Sequence, residues 1–204
     1  MNPFEQDDTF ENRTFEDLAL ERVDLGRLEL TKCVFRRCKL GETRWQRSRL
    51  EDCVFEDCDL TRAELMGASL HDVAFKKSKL MGLDFSRVAK RPSMSFEDCN
   101  LHYASFVGLM LRKTHFARCA IREANFFETD LTEAKFDDCL FTGTRFEGCT
   151  LRGARFPGAR DLFVDPARNV VKDMHIPLEA AILLATSFEM RVLGFQPLDG
   201  SADD

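Results

Sequence analysis

From Phe10 onward, every fifth residue of this chain is large and apolar. One run is Phe10, Phe15, Leu20, Leu25, Leu30, Phe35, Leu40, Trp45, Leu50, Phe55, Leu60, Leu65, Leu70, Phe75, Leu80 and Phe85. A second is Phe96, Leu101, Phe106, Leu111, Phe116, Ile121, Phe126, Leu131, Phe136, Phe141, Phe146, Leu151 and Phe156. Two places before each of these centres the residue is mostly small, and the other places are mostly polar, as in Ala124-Asn125-Phe126-Phe127-Glu128. A period of five fits neither an amphipathic helix, at about 3.6, nor a simple strand, at 2. It marks a repeat, in which each unit buries its apolar face only by stacking on its neighbours. The two runs are offset by one residue, so the stretch between Phe85 and Phe96 holds an insertion.

The unit resembles that of the pentapeptide-repeat family, Ala/Cys/Ser/Thr-Asp/Asn-Leu/Phe-x-x, over about residues 8–158. The resemblance implies an all-β solenoid, a right-handed quadrilateral β-helix in which each unit forms one side of a square coil and the centre points inward. Four sides make a coil of twenty residues, and the sequence carries that longer period. Phe15, Phe35, Phe55 and Phe75 form one column, and Leu20, Leu40, Leu60 and Leu80 the next. After the offset, Phe96, Phe116, Phe136 and Phe156 repeat the pattern, as do Phe106, Phe126 and Phe146. Identity at twenty residues is what stacked rings in a narrow shaft favour. These eight phenylalanines, Phe15 to Phe75 and Phe96 to Phe156, are the expected structural core, with the Phe96 column continuing the Phe75 column.

Composition agrees with such a shaft: 19 Phe stand against one Tyr and one Trp, and plain hydrocarbon rings need no buried hydroxyl partner. The eight cysteines, at 33, 38, 53, 58, 99, 119, 139 and 149, all fall two places before a centre. Zinc is the alternative reading of Cys33-x4-Cys38 and Cys53-x4-Cys58, whose spacing suits a metal. The later cysteines lack that pairing, and a free cysteine serves as a small buried hydrophobe. We therefore expect no metal, no cofactor and no disulfide. No run is long enough to span a bilayer, and residues 1–8 carry no apolar stretch of a secretory signal, so a soluble cytoplasmic protein is expected.

Taken in order, residues 1–9 form a polar lead-in, 10–158 the β-helix, and 159–204 a C-terminal module. Some seven coils at about 4.8 Å each give a rod of roughly 35 Å. Charged pairs follow the lattice: Glu16-Asp17, Arg36-Arg37, Glu56-Asp57, Lys76-Lys77 and Glu97-Asp98 alternate in sign behind one column of phenylalanines, as a cross-coil ladder would. Residues 86–95 break the period. The expected centre is Lys90, and Pro92 removes a ladder donor, which suggests a bulged side or loop projecting from one face. Arg87, Lys90, Arg91, Pro92 and Met94 of this stretch, with Phe127 just after a centre, are candidate partner contacts.

Residues 176–187 suit a helix, with Pro177 in its first turn and Glu179 after it. Residues 188–193 alternate as a short strand does. The helix is too apolar to be solvated all round, so the module either caps the last coil or pairs with its own copy. The expected dimer contacts are Ile176, Leu178, Ala181, Ile182, Leu184, Ala185, Phe188, Met190 and Val192. Residues 197–204 have the composition of an acidic tail.

The interruption ending in Ser95-Phe96-Glu97-Asp98-Cys99, and the segment Asn169-Val170-Val171-Lys172 followed by Ile176-Pro177-Leu178-Glu179-Ala180-Ala181-Ile182-Leu183-Leu184, resemble one subgroup: the topoisomerase-protecting members, nearest the albicidin-resistance branch. Membership implies a C-terminal homodimer that binds DNA gyrase foremost, and topoisomerase IV second, and protects it from poisons. DNA mimicry is the physics proposed for that subgroup. Residues 1–95 are nearly balanced in charge, whereas 96–204 hold seventeen acidic and twelve basic residues. Direct nucleic-acid binding is disfavoured by the net charge of −6. The four histidines, 71, 102, 115 and 175, are scattered, and no nucleophile–base pair or Gly-rich phosphate loop stands out, so no enzyme is expected. The alternative is a non-catalytic interaction scaffold with an unrelated partner.

Overall fold

The computed structural model describes residues 2–89 and 91–193. Lys90 and the acidic tail at 197–204 lie outside the described residues.

Short parallel strands stack in twenty-residue register to form a β-solenoid of about seven turns with, among the described residues, one C-terminal helix. On the first side, β1 (Thr9–Glu11) pairs with β3 (Glu29–Thr31), β3 with β5 (Arg49–Glu51), and β5 with β7 (Ser69–His71), placing Phe10, Leu30, Leu50 and Leu70 in line. The second side is a continuous sheet of β2 (Thr14–Glu16), β4 (Val34–Arg36), β6 (Val54–Glu56), β8 (Val73–Lys76), β9 (Met94–Glu97), β10 (His115–Ala117) and β12 (Lys135–Asp137). The third side is a series of single bridges, from Ala19–Lys39 through Lys79–Asn100 to Leu140–Arg160. The fourth runs from Asp24–Arg44 to Ser105–Asn125 and ends in β11 (Asn125–Phe127) paired with β13 (Arg145–Glu147).

The shaft is a stack of rings. Phe15, Phe35, Phe55, Phe75, Phe96, Phe116, Phe136 and Phe156 are buried and lie 4.7–5.4 Å apart, centroid to centroid, each nearly parallel to the next. A second column, Phe85, Phe106, Phe126 and Phe146, stacks at 4.7–5.0 Å and meets the first edge to face. Phe75 pairs in register with Phe96, so the column crosses the insertion unbroken.

The small residue two places before each centre does more than fit. At several places where it is Cys, Ser or Thr, its side chain donates a hydrogen bond to the carbonyl of a centre one coil earlier: Cys38 Sγ to Phe15 O (3.4 Å), Ser48 Oγ to Leu25 O (2.7 Å), Cys58 Sγ to Phe35 O (3.4 Å), Thr129 Oγ1 to Phe106 O (2.5 Å). A buried carbonyl needs a donor, and Cys, Ser and Thr supply one within the space of a small side chain. The cysteines at 38, 58, 99, 119 and 139 belong to one column, with Ser78 between its halves, since the third-side bridges run in register from Lys39 through Asp59, Lys79, Asn100 and Ala120 to Leu140. All eight are free and buried.

Of the two forms expected at 86–95, a bulged side or a projecting loop, the described residues take the first. Phe85–Arg87 form a short 3-10 turn, Ala89 N–H bonds to Ala68 O (2.7 Å), Ser93 N–H to Leu70 O (3.0 Å), and Met94 pairs with Val73 in β8. The backbone stays on the ladder on both flanks of Lys90, leaving a tight bulge. The extra residue is taken up by a left-handed turn at Arg91 (φ 62°) followed by Pro92, which is buried.

Both ends differ from expectation. Phe4, within the lead-in, lies 4.8 Å from Phe15 and 6.2 Å from Phe35 and closes the top of the shaft. At the bottom, the ladder continues past 158, through Thr150–Val170 and Arg155–His175. Asn169 occupies the small-residue place, donating to Phe146 O (3.0 Å) and accepting from Cys149 N–H (2.9 Å). Ile176, one place beyond the Arg155–His175 bridge, packs on the last rings. The helix α1 (Leu178–Ser187) follows, with Pro177 at its cap and Glu179 in its first turn. The expected strand at 188–193 does not form. Phe188 and Met190 N–H groups turn back to Ala185 O, Glu189 is left-handed, and no neighbouring edge is offered among the described residues.

Candidate functional site

The side chains that leave this lattice for solvent are the functional surface, because the inward ones are consumed by the core. A recess of about 540 Å³ opens along the second and third sides. It mixes Arg37, Lys39, Lys77 and Lys79 with Glu21, Glu42, Asp57 and Asp59. Cys38 and Cys58 line this recess, and the Cys53 and Cys119 thiols elsewhere in the shaft are held protonated. Burial pushes Cys53 up to about 11, and the neighbouring Cys139 thiol together with burial holds Cys119 up at about 12. In the stacked pair Cys38–Cys58, the hydrogen bond between them moves Cys38 down and Cys58 up. Among the described residues no His/Cys/Asp/Glu group is arranged to hold a metal ion, and no helix is long and apolar enough to cross a membrane.

The outward charges form the ladder. Arg36 bridges Glu16 (3.5 Å) and Glu56 (3.0 Å), Arg37 grips both oxygens of Asp17 (2.8 Å each), and Arg118 joins Glu97 (2.6 Å) to Asp98 (2.8 Å). His115 and His102 join it through Asp137 (2.7 Å) and Glu123 (3.2 Å). The hydrogen bonds from Arg37 and Arg118 hold the Asp17 and Asp98 carboxyls below their ordinary range. A depressed carboxyl contributes stability that is present above the unfolded value, near about 4, and lost as pH falls through the folded one. Arg118→Gln should therefore melt below wild type at neutral pH. The gap should close as pH falls from the ordinary carboxylate value, near about 4, through the lower folded one, which thermal melts across pH would measure.

With the coil boundaries known, the alternation extends beyond one side. The coil at 31–50 carries Lys32, Arg36, Arg37, Lys39, Arg44, Arg47 and Arg49 against Glu42 alone. The next, 51–70, carries Glu51, Asp52, Glu56, Asp57, Asp59 and Glu64 against Arg62. From 11 to 171, counting the insertion within 71–91, successive coils alternate between net negative and net positive. The sequence reading found this on one side only, because the register of the other sides across the insertion was not yet fixed.

Of the expected contacts, Arg87 and Arg91 are exposed, and Arg87 also pairs with Asp84 (3.2 Å). Lys90 lies outside the described residues. Met94 and Pro92 are buried, Met94 in the inward small-residue place beside Val73, so neither presents a side chain to a partner. Phe127 is half-buried on the fourth side, and the structure does not bring it next to Arg91, which lies on the first. Sequence reasoning passed over Met66, Tyr103 and Met110, which are 48%, 54% and 44% exposed. A signal was available: residues 99–111 contain no Lys, Arg, Asp or Glu in a chain that is 31% charged.

On α1 and just after it, Leu178 (71%) and Phe188 (50%) are exposed, as are Ala181 and Met190. Ile182, Leu184, Ala185 and Val192 are half-buried. Ile176 serves the shaft rather than the surface, while the exposed Leu183 was not expected.

A family model described as the pentapeptide repeat region matches residues 28–106 and 90–156. The chain belongs to the pentapeptide-repeat family. No curated protein matches it in sequence. Among solved structures, a trypsin-treated variant of QnrB1, a plasmid-mediated fluoroquinolone resistance protein, is 14% identical with a TM-score of 0.60, covering 91% of this chain and 100% of that one. A second such variant is 19% identical at 0.53, covering 87% and 99%. HetL, a pentapeptide repeat protein involved in heterocyst differentiation regulation from the cyanobacterium Nostoc sp. strain PCC 7120, is 16% identical at 0.51, covering 83% and 90%. At these identities the likeness is one of fold.

Proposed function

We propose that this pentapeptide-repeat rod binds a bacterial type II topoisomerase, DNA gyrase foremost and topoisomerase IV second, and shields it from topoisomerase poisons, giving resistance or self-immunity. The observation carrying this reading is the fold shared over 91% of this chain with a fluoroquinolone resistance protein, since fluoroquinolones poison these enzymes. The interrupted rod and the C-terminal segment support a place near the albicidin-resistance branch. The protein acts without catalysis and in the cytoplasm. Recognition rests on the rod's shape and on exposed groups such as Arg87 and Arg91, because an alternating surface does not present the one-sign field of a phosphate backbone.

The test is supercoiling by purified gyrase in the presence of a poison. Adding the protein should restore activity, and the pair Arg87→Glu and Arg91→Glu should reduce that rescue several-fold. Point reversals are preferable to deleting 87–94, which would remove part of β9. No binding to gyrase and no change in drug response would reject the reading.

The apolar surface of α1 is the proposed homodimer contact. Leu178→Glu with Phe188→Glu should halve the mass measured by light scattering, and an unchanged mass would place the contact elsewhere. A second reading, a scaffold for an unrelated protein, draws on HetL, whose described role is developmental regulation. Recovery of such a partner in place of gyrase would favour it.

A further inference from the structure

The fourth side carries an apolar column that the core does not use. Met66, Ser86, Val107 and Phe127 each follow a centre on successive coils, with Ser86 the only polar member. Above and below, the same place is held by Gln46 and Glu147, so a charged residue there is compatible with the fold. The corners beside the column are open. A Cβ at Gly108 would meet nothing within 4 Å, and one at Gly82 only the Arg62 Cγ. Arg27, Arg47 and Glu128 hold the place of Gly108 on other coils at positive φ, so backbone conformation alone does not demand glycine there.

We propose that this face docks an amphipathic α-helix of a protein partner, laid along the rod with its acidic C-terminal end at Arg62 and Arg87 and its basic N-terminal end at Glu123 and Glu128. The spacing selects a helix. Coils are about 4.8 Å apart, and a helix presents an apolar residue about every 5.2 Å along its stripe (3.5 residues at 1.5 Å). Each anchor therefore meets one coil, and three steps accumulate only about 1 Å of mismatch. An extended segment, with same-face side chains about 6.7 Å apart, loses register at the second coil.

The ends fix the direction. At the Met66 end a recess of about 350 Å³ is bounded by Arg62, Met66, Gly82 and Arg87, and the basic groups there, with Arg47, outnumber Glu64 and Asp84. At the Phe127 end Glu123, Glu128 and Glu147 outnumber Arg145 and Arg168, with Arg168 on Glu147 (3.5 Å) and His102 on Glu123 (3.2 Å). A helix dipole directed this way is favoured at both termini. The proposal rests on the reading that the rod works by binding a protein, whichever protein that is.

The probe is a lactam-stapled peptide of about fourteen residues with a leucine stripe, lysines in its first turn and glutamates in its last. Fluorescence anisotropy should show it binding the full-length chain. A control with the end charges exchanged should bind about tenfold more weakly. Val107→Glu and Phe127→Glu should each cost at least about tenfold while leaving the melting curve near wild type. No binding, equal binding of both peptides, or binding indifferent to Val107→Glu would overturn the proposal. If the peptide fails while gyrase rescue persists, the helix site falls and the topoisomerase reading stands.

Discussion

Phe116→Ala should destabilise the rod by about 3–5 kcal/mol, among the largest effects open to a single substitution here. Phe116 is fully buried and lies 4.8 Å from Phe96 and 4.7 Å from Phe136 in near-parallel stacks, with Phe106 and Phe126 edge-on at 5.8 and 6.3 Å. Truncation removes the transfer free energy of one ring and the aromatic geometry of four pairs. It also leaves a cavity that the ladder cannot collapse, since backbone spacing fixes the distance between coils. Urea denaturation followed by circular dichroism would measure the loss. Phe15→Ala, at the capped end, should cost clearly less, because Phe4 and the first coil can shift toward the gap. Equal costs at the two positions would mean that the shaft is not rigid in its middle.

The sequence made the coil legible because two independent periods, five and twenty, coincide on the same residues. Phe75 could be carried to Phe96 across the insertion because a phenylalanine column has to continue. Elsewhere a period carried no information. Phe4 lies outside the repeat, and its role as a lid is set by the open shaft it meets. Asn169, Val171 and Ile176 form another part-coil whose centres match the repeat but whose small-residue places hold Asn169 and Met174, so the pattern is lost to inspection while the hydrogen bonds persist. Bulge and loop stayed open in the sequence because a charged centre and a proline mark an interruption without saying how far it leaves the ladder. In the structure Ala89 and Ser93 keep the backbone on it and Pro92 turns inward. Alternation at 188–193 has no consequence without an adjacent edge. On the surface, the sequence alone puts Val107 and Phe127 just after centres on one face, but the column was recognisable only once Met66 and Ser86, across the insertion, were known to lie in line with them.

The charge bands lead to the second large effect. Reversing Arg36, Arg37, Lys39 and Arg44 together to glutamate converts the positive coil at 31–50 into a third consecutive negative one. It breaks Arg36 and Arg37 from Glu16, Asp17 and Glu56, and Arg44 from Asp24. Any one of these exposed pairs alone contributes little. Acting together across a coil spacing of about 4.8 Å, shorter than the Debye length of about 8 Å at physiological salt, the four reversals repel both neighbours at once. The expected result is a melting temperature lower by on the order of 10 °C at low ionic strength, with most of the loss recovered near 1 M salt, where screening acts within about 3 Å. A loss that salt does not restore would assign these residues to packing rather than charge. The same bands bear on function. Beyond a coil or two their fields cancel, so an enzyme that recognises this rod must do so by shape and close contact. Rescue of gyrase should then fall less steeply with salt than gyrase's own binding to DNA, whose affinity depends on counterion release. A rescue as salt-sensitive as DNA binding would restore charge mimicry as the mechanism.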